Sequence, residues 1–249
     1  GVLDITYPPI ILSGYGFFRL LNLSFVTTGG ENLPRTGGAV LASNHVSYLD
    51  FIFCGYAARP AHRLVRFMAK KSTVDHRISG PLMRSMHHIP VDRSAGSHAF
   101  DRAVDSLRQG EVVGVFPEAT ISQSFELKEF KTGAVRMAAA AGVPVVPMIT
   151  FGGQRLWTKG HKRDLERGAT VSLTMGPPVM FAPAEDADTA TGRMRAAMGK
   201  LYDDTIERYP DKPAPGTWWW PARFGGGAPT PEQMRAQEAG ERRSRERGG

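Results

Sequence analysis

Short apolar runs alternate with segments of helical character through the middle of the chain. Runs with strand character cover residues 38–43, 63–69, 88–91, 111–116, 143–149 and 170–175. The predicted helices cover residues 49–58, 97–109, 132–141 and 187–208, and Gly110 and Gly142 are placed as C-terminal stops. This alternation predicts an α/β fold with a largely parallel central sheet flanked by helices.

The N-terminal stretch has a different pattern. Residues 8–26 read PPIILSGYGFFRLLNLSFV, and Arg19 is the only charged residue between Ile5 and Gly30. Proline, glycine and polar residues interrupt the roughly 20 apolar residues that a membrane span requires. We therefore predict that residues 1–36 form an N-terminal helical segment that lies in the membrane interface. A core helix and a spanning helix are the alternatives.

The C-terminal region departs from the pattern of the core. Residues 221–249 are rich in Gly, Arg and Glu and offer little that could form a core, so we predict that this tail is mostly disordered. The preceding tryptophan run, residues 218–220, either anchors the protein at an interface or caps the fold. Residues 37–220 are then the α/β domain.

Composition narrows the class of protein. The chain has 249 residues and a formal net charge of +7, which favours anionic partners such as an acidic membrane surface or phosphorylated molecules. No helix-turn-helix, zinc-finger or RNP pattern is present, so nucleic acid is not favoured. The single cysteine, Cys54, excludes an internal disulfide framework and a Cys-rich zinc site, and we predict no metal.

The first strand run ends in Asn44-His45-Val46-Ser47-Tyr48-Leu49-Asp50. In one interpretation Asn44 or Ser47 caps the next helix, and the histidine and the carboxylate are incidental. In the other, His45 is a general base and Asp50 orients it. The ends of parallel strands are where sites form in α/β sheets, and Phe116-Pro117-Glu118 stands at another such end.

Four motifs stand in order: NHVSYLD (44–50), HHIPVDR (87–93), FPEATIS (116–122) and VPVVP (143–147). Their order and spacing resemble the lysophosphatidic acid acyltransferase family of glycerolipid acyltransferases. That family has N-H-x4-D, an apolar strand ending in Arg, F-P-E-G-T-R-S, and V-P-x-x-P. The segment Glu129–Gly133 also resembles its F-K-x-G. The resemblance covers about residues 8–180.

The resemblance implies a membrane-associated O-acyltransferase of phospholipid biosynthesis. It would transfer an acyl chain from a thioester of coenzyme A or acyl carrier protein, a co-substrate rather than a cofactor, to the free hydroxyl of lysophosphatidic acid. The product would be phosphatidic acid. His45 would act as the base and Asp50 would hold its tautomer, and transfer would be direct, with no serine or cysteine nucleophile. Histidine suits this role because its ordinary pKa is about 6.5.

The resemblance also assigns the acceptor site. Arg93 and Lys131 would contact the phosphate, and Glu118 and Thr120 would complete the substrate-binding residues. Two positions depart from the family pattern: Ala119 replaces a glycine, and Ile121 replaces an arginine that would contact the phosphate. Lys128 could substitute for that arginine, or the acceptor could differ.

Alternative functions stay open, and one of them is a thioester hydrolase, which would need water in the acceptor site. The same chemistry could act on glycerol 3-phosphate or another lysophospholipid, and a non-catalytic lipid-binding protein of the same fold is a different class. The intact His45, Asp50, Glu118 and Arg93 argue against the latter, since binding needs no base. We expect peripheral or monotopic attachment to the cytoplasmic face of the cell membrane, where the donor is available. The oligomeric state is not predicted.

Overall fold

The computed structural model describes residues 3–70, 88–91 and 98–248. Its α-helices there are α1 (Leu3–Leu20), α2 (Asp50–Ala58), α3 (His98–Arg108), α4 (Gly133–Ala141), α5 (Ala187–Arg208) and α6 (Pro231–Arg247). Its strands are β1 (Ser24–Thr28), β2 (Ala39–Ser43), β3 (Val65–Lys70), β4 (Ile89–Val91), β5 (Val112–Val115), β6 (Val145–Phe151) and β7 (Thr170–Met175). All the strands and helices predicted within residues 37–208 are present, with small shifts at their ends.

The strands of the described chain form one sheet in the order β1-β7-β6-β2-β5-β3-β4. Neighbouring strands run parallel except β6 and β7, which are antiparallel. The predicted α/β class with a largely parallel sheet is therefore confirmed. β2 lies between β5 and β6, so the segment that follows it emerges near the middle of the sheet.

Helices cover both faces of the sheet. Val40 and Ala42 of β2 pack with residues of α3, α4 and α5 on one face. Ala39 and Leu41 pack with α1 and α2 on the other. All five residues of β2 are buried, which explains why the strand appears in the sequence as an unbroken apolar run rather than an alternating one.

The register of the strands places the C-terminal ends of β2 and β6 and the N-terminal ends of β7 and β1 at the same end of the sheet. β2 ends at Ser43, and the parallel strand β6 ends at Phe151 beyond the same edge. β7 runs antiparallel to β6 and begins at Thr170, opposite Ser24 at the start of β1. The C-terminal end of α1, which directly precedes β1, therefore lies at the edge where β2 and β6 end.

The N-terminal segment is not helical throughout. Helix α1 ends at Leu20, Asn22 takes a left-handed conformation with φ 49°, and β1 then joins the sheet. Strand β1 therefore belongs to the sheet although it lies within residues 1–36, which were predicted as a separate helical segment. Apolar residues predominate both in α1 and in β1, and this similarity conceals the change from helix to strand. Val26, Thr27 and Thr28 are β-branched and suit a strand.

Helix α1 combines a packed face with an exposed one. Phe18 is buried against Phe53 and Tyr56 of α2, at ring-centroid distances of 5.7 Å for both pairs. Leu12 and Leu20 are 70% and 66% exposed. In the part of the chain that the structure describes, no helix is both long and apolar enough to cross a bilayer. The helix is thus held by the core and still presents leucine side chains to its surroundings.

The C-terminal region is more ordered than its composition predicts. Trp219 and Trp220 are buried and pack edge-to-face, Trp220 against Phe151 of β6 and Trp219 against the Tyr209 ring. Two of the three tryptophans therefore cap the fold. Where the sequence predicted a disordered tail, the chain forms a short 3₁₀ turn and then α6, whose N-terminus has a capping box between Thr230 and Gln233. Composition did not reveal this local capping signal.

Candidate active site

The segment after β2 is fixed to the neighbouring strand by Asn44. Its Nδ2 donates to the carbonyl oxygen of Thr150 at 3.0 Å, and its Oδ1 accepts from the Thr150 N–H at 2.7 Å. The side chain thus continues the hydrogen bonding between β2 and β6 for one more residue. The position of His45 is set by this pairing. Sequence reasoning considered Asn44 only as a helix cap, whereas neither Asn44 nor Ser47 caps α2.

His45 and Asp50 are directly hydrogen bonded, with 2.9 Å between His45 Nδ1 and Asp50 Oδ2. The Asp50 carboxylate is fully buried and also accepts the N–H groups of Val46 and Ser47 at 2.6 and 2.8 Å. Asp50 begins α2, where a helix N-terminus favours negative charge. These bonds hold the carboxylate in one position, and a proton on Nδ1 shared with Asp50 leaves Nε2 as the basic nitrogen.

The imidazole of His45 also stacks on Phe116, with ring centroids 4.1 Å apart and an interplanar angle of 11°. Phe116 stacks in turn on Phe67 of β3, at 5.2 Å. Phe116 covers one face of the imidazole, while Asp50 holds its Nδ1 edge, so both contacts restrict rotation of the histidine ring. Sequence reasoning did not assign Phe116 a role, although it begins the FPEATIS motif, and its place in that motif was the available signal.

Glu118 links the segment of His45 to the segment of Lys128. Its Oε1 accepts the backbone N–H of His45 at 2.8 Å, and its Oε2 accepts the backbone N–H of Lys128 at 2.7 Å. Burial raises the pKa of Glu118 to about 7, although both N–H bonds favour the carboxylate. Substrate binding by Glu118 stays a prediction, and each carboxylate oxygen accepts one backbone bond from the protein. In this arrangement it positions the backbones on either side.

Thr120, Lys128 and Lys131 follow Glu118 in the sequence, and the structure shows which contacts their side chains and backbones make. Lys128 Nζ donates to Thr120 Oγ1 at 2.8 Å and to Glu238 Oε1 of α6 at 2.8 Å. The Lys131 side chain is exposed just ahead of α4, and its N–H donates to Pro117. Thr120 belongs to the FPEATIS segment, and the backbone of Lys131 is hydrogen bonded to it. Arg93 lies outside the described residues.

The two departures from the family pattern have distinct structural outcomes. Ala119 adopts φ 64°, a left-handed conformation that glycine takes without steric cost. Ile121 is 6% exposed and therefore buried, so it offers an acceptor phosphate neither charge nor access. An arginine contact at position 121 is absent from this site.

Two other side chains in the region carry nucleophilic groups. The Ser47 hydroxyl donates to the Trp157 carbonyl oxygen at 2.8 Å and accepts the Leu49 N–H at 3.0 Å. Cys54 is fully buried, and burial raises the pKa of its thiol well above the usual range. Neither group is presented as a nucleophile. Among the residues described, no group of three His, Cys, Asp or Glu side chains could hold a metal ion.

Comparisons with known proteins identify the family of the chain. A family model described as Acyltransferase matches residues 24–150, a range that contains the His45, Asp50 and Glu118 cluster. A 1-acyl-sn-glycerol-3-phosphate acyltransferase of Bacillus subtilis (strain 168) is 34% identical over 186 residues, which are 73% of this chain and 86% of that protein.

Other relatives are similar over a smaller share of their own length. The 1-acyl-sn-glycerol-3-phosphate acyltransferase LPAT1, chloroplastic, of Arabidopsis thaliana is 32% identical over 70% of this chain, which spans 47% of that protein. The crystal structure of the 1-acyl-sn-glycerophosphate (LPA) acyltransferase PlsC from Thermotoga maritima superimposes with a TM-score of 0.66 at 23% identity, covering 81% of both chains. At that identity the superposition establishes the fold.

Proposed function

Because the chain belongs to the lysophosphatidic acid acyltransferase family of glycerolipid O-acyltransferases, we propose that it acylates the free hydroxyl of lysophosphatidic acid to give phosphatidic acid. The 2.9 Å bond between His45 Nδ1 and Asp50 Oδ2 is the observation that carries the catalytic part of this proposal. It leaves Nε2 free to accept a proton, and a glycerol hydroxyl needs a base to attack at neutral pH.

The reaction proceeds in two proton transfers. Nε2 of His45 takes the hydroxyl proton as the oxygen attacks the thioester carbonyl carbon. The carbon–sulfur bond then breaks, and the imidazolium returns the proton to the leaving thiolate, so that an ester and a free thiol form. The buried Asp50 carboxylate stabilises the imidazolium between these steps. A base positioned in this way contributes roughly 10²–10⁴-fold to the rate.

The substrates are proposed from the family and from charge. The relatives that match over most of this chain are named 1-acyl-sn-glycerol-3-phosphate acyltransferases, which supports lysophosphatidic acid as acceptor. Arg93 and Lys131 bind its phosphate, and Glu118 and Thr120 complete the substrate-binding residues. The donor is an acyl thioester of coenzyme A or acyl carrier protein.

Attachment to the cytoplasmic face of the cell membrane is part of the proposal. The C-terminal end of α1 lies at the sheet edge that also carries His45, and Leu12 and Leu20 on this helix are largely exposed. Exposed leucines inserted at the lipid surface would bring the site to an acceptor that is itself a lipid. The protein is therefore peripheral or monotopic in this proposal.

A second acceptor has one observation in its favour. Ile121 is buried where the family pattern has an arginine, so this chain lacks a phosphate contact that the pattern implies. Glycerol 3-phosphate or another lysophospholipid would undergo the same chemistry. The experiment must therefore offer several acceptors side by side.

The test is a mass-spectrometric transfer assay in detergent with wild type and His45→Ala. Palmitoyl- and oleoyl-coenzyme A are offered with lysophosphatidic acid, glycerol 3-phosphate and lysophosphatidylinositol. We expect phosphatidic acid from lysophosphatidic acid, and a loss of at least about 100-fold in the variant. Turnover by His45→Ala close to that of wild type would contradict the base assignment. Product from another acceptor alone would change the substrate and keep the chemistry.

A further inference from the structure

Lys128 places a positive charge beside Thr120, next to position 121, where isoleucine stands instead of the arginine of the family pattern. Lys128 Nζ lies 2.8 Å from Oγ1 of Thr120, the residue directly before Ile121. An ammonium group has three donor hydrogens, and Thr120 and Glu238 use two of them. Thr120 accepts through Oγ1 and keeps its own proton to donate. Lys128 and Thr120 together can therefore offer donors to a phosphate.

The backbone of Lys128 is held from both sides. Its N–H donates to Glu118, which also binds the N–H of His45. Its carbonyl oxygen accepts from Nε of Arg195 on α5 at 2.9 Å. The base of the side chain is therefore fixed relative to the backbone of His45 through a single carboxylate. A long lysine side chain on a fixed base loses less freedom when it binds an anion.

The partner of Lys128 comes from the C-terminal helix. Glu238 Oε1 lies 2.8 Å from Lys128 Nζ, and the two side chains are 37% and 23% exposed. Met234, one helical turn earlier on the same face, is buried. The following residues of the helix, 241–247, are exposed. The Lys128–Glu238 ion pair therefore links α6 to the segment that follows the FPEATIS motif.

We propose that Lys128 binds the phosphate of the acceptor and that Glu238 occupies its ammonium group when no acceptor is bound. The carboxylate of α6 is then a built-in competitor of the phosphate. A phosphate monoester carries up to two negative charges and three acceptor oxygens, whereas a carboxylate carries one charge, so the phosphate displaces Glu238 from Lys128. This inference rests on the proposed function and names the phosphate contact that replaces the missing arginine.

Acceptors with and without phosphate separate this role from a structural one. Lys128→Ala keeps the backbone N–H bond to Glu118 and removes the ammonium group together with the methylene groups that carry it. We expect it to raise KM for lysophosphatidic acid about 10- to 100-fold, the usual value of a charged hydrogen bond. Turnover of monoacylglycerol, which has the same hydroxyl and no phosphate, should stay within about twofold of wild type.

Glu238→Gln tests the competitor. Removal of the charge should lower KM for lysophosphatidic acid about two- to fivefold with kcat unchanged, as expected for a partly exposed ion pair. Glu241→Gln on the same helix is the matched control, because Glu241 is exposed and bonds Gln237 instead. Its KM should equal that of wild type.

The outcomes are distinguishable. Wild type that acylates no phosphorylated acceptor contradicts the proposed function, and the inference with it. Wild type that acylates lysophosphatidic acid with an unchanged KM in Lys128→Ala contradicts the inference alone. An equal loss on both acceptors in Lys128→Ala would mean that the lysine only supports the fold. An unchanged KM in Glu238→Gln would overturn the competition by α6.

Discussion

Asp50 Oδ2 lies 2.9 Å from Nδ1 of His45 and accepts two backbone N–H groups from the segment between them. One oxygen thus fixes both the histidine ring and the loop that carries it. The carboxylate is fully buried, so the negative charge that faces the imidazole is shielded from water. In the proposed transfer His45 becomes positively charged, and the Asp50 carboxylate would stabilise that charge.

The first prediction concerns this pair. Asp50→Asn should lower kcat roughly 10²–10⁴-fold, because an amide stabilises the imidazolium less and can favour the wrong tautomer. Cys54→Ala is the matched control in α2, since the thiol has no part in the proposed transfer, and it should keep wild-type kcat. Acyl transfer at saturating acceptor is the measurement. A kcat for Asp50→Asn within threefold of wild type would remove Asp50 from the mechanism.

The second prediction concerns pH. Burial raises the pKa of Glu118 from 4.5 to about 7, so the folded protein binds a proton there that the unfolded chain releases. The free energy of unfolding should therefore fall by roughly 3 kcal/mol, at about 1.36 kcal/mol for each pH unit, as pH rises from 4.5 to about 7. Below pH 4.5 both states are protonated and this stability is fully present.

Glu118→Gln isolates that contribution. The variant cannot ionise, so the fall in stability between pH 5 and pH 8 should be smaller than in wild type by most of the 3 kcal/mol estimated above. Urea unfolding of both proteins at the two pH values measures the difference, and other groups such as His88 cancel in the comparison. The same pH dependence in both proteins would show that Glu118 stays ionised throughout.

The third prediction follows from the backbone of Ala119. Its φ of 64° costs an L-residue roughly 1–2 kcal/mol, and glycine avoids this cost while losing somewhat more entropy on folding. Ala119→Gly should therefore raise the free energy of unfolding by about 0.5–1 kcal/mol. Ala140→Gly, at an exposed position of α4, should lower it by a similar amount. Chemical denaturation that found both variants destabilised would contradict the strain at Ala119.

The fourth prediction separates the tryptophans. Trp220 is 6% exposed, whereas Trp218 is 36% exposed. Trp220→Ala should destabilise the protein by about 3–5 kcal/mol, as removal of a buried aromatic ring does. Trp218→Ala should cost about 0.5–1.5 kcal/mol, the value of its ring contacts with Phe125 and His161. Similar midpoints for the two variants in thermal unfolding would contradict the capping role.

The fifth prediction tests membrane attachment. Leu12→Glu combined with Leu20→Glu should lower the fraction of protein that sediments with anionic vesicles, because charged side chains oppose insertion of α1 at the lipid surface. Met180→Glu is the control: Met180 is 57% exposed and follows Val179, which pairs with Val145 at the opposite end of β6. Equal vesicle binding by wild type and the double variant would exclude α1 as the attachment.

The sequence predicted the strands of the α/β domain because each is a short apolar run, and it predicted the helices in the longer segments between and after them. It failed at the two termini for different reasons. At the N-terminus, helix and strand share one apolar composition, so the boundary near Asn22 was invisible. At the C-terminus, a charged composition concealed the helix that the Thr230 capping box begins. In both cases a local signal was outweighed by an average over many residues.

The sequence by itself indicated the candidate pair of the site. His45 and Asp50 lie in one segment, and the turn before α2 brings their side chains together. Only the tertiary structure decided which distant residues contact His45 and Lys128. Phe116 against the imidazole, and Glu238 against Lys128, come from residues 71 and 110 positions away. Contacts of that separation depend on how the sheet and helices pack, and no local pattern of residues encodes them.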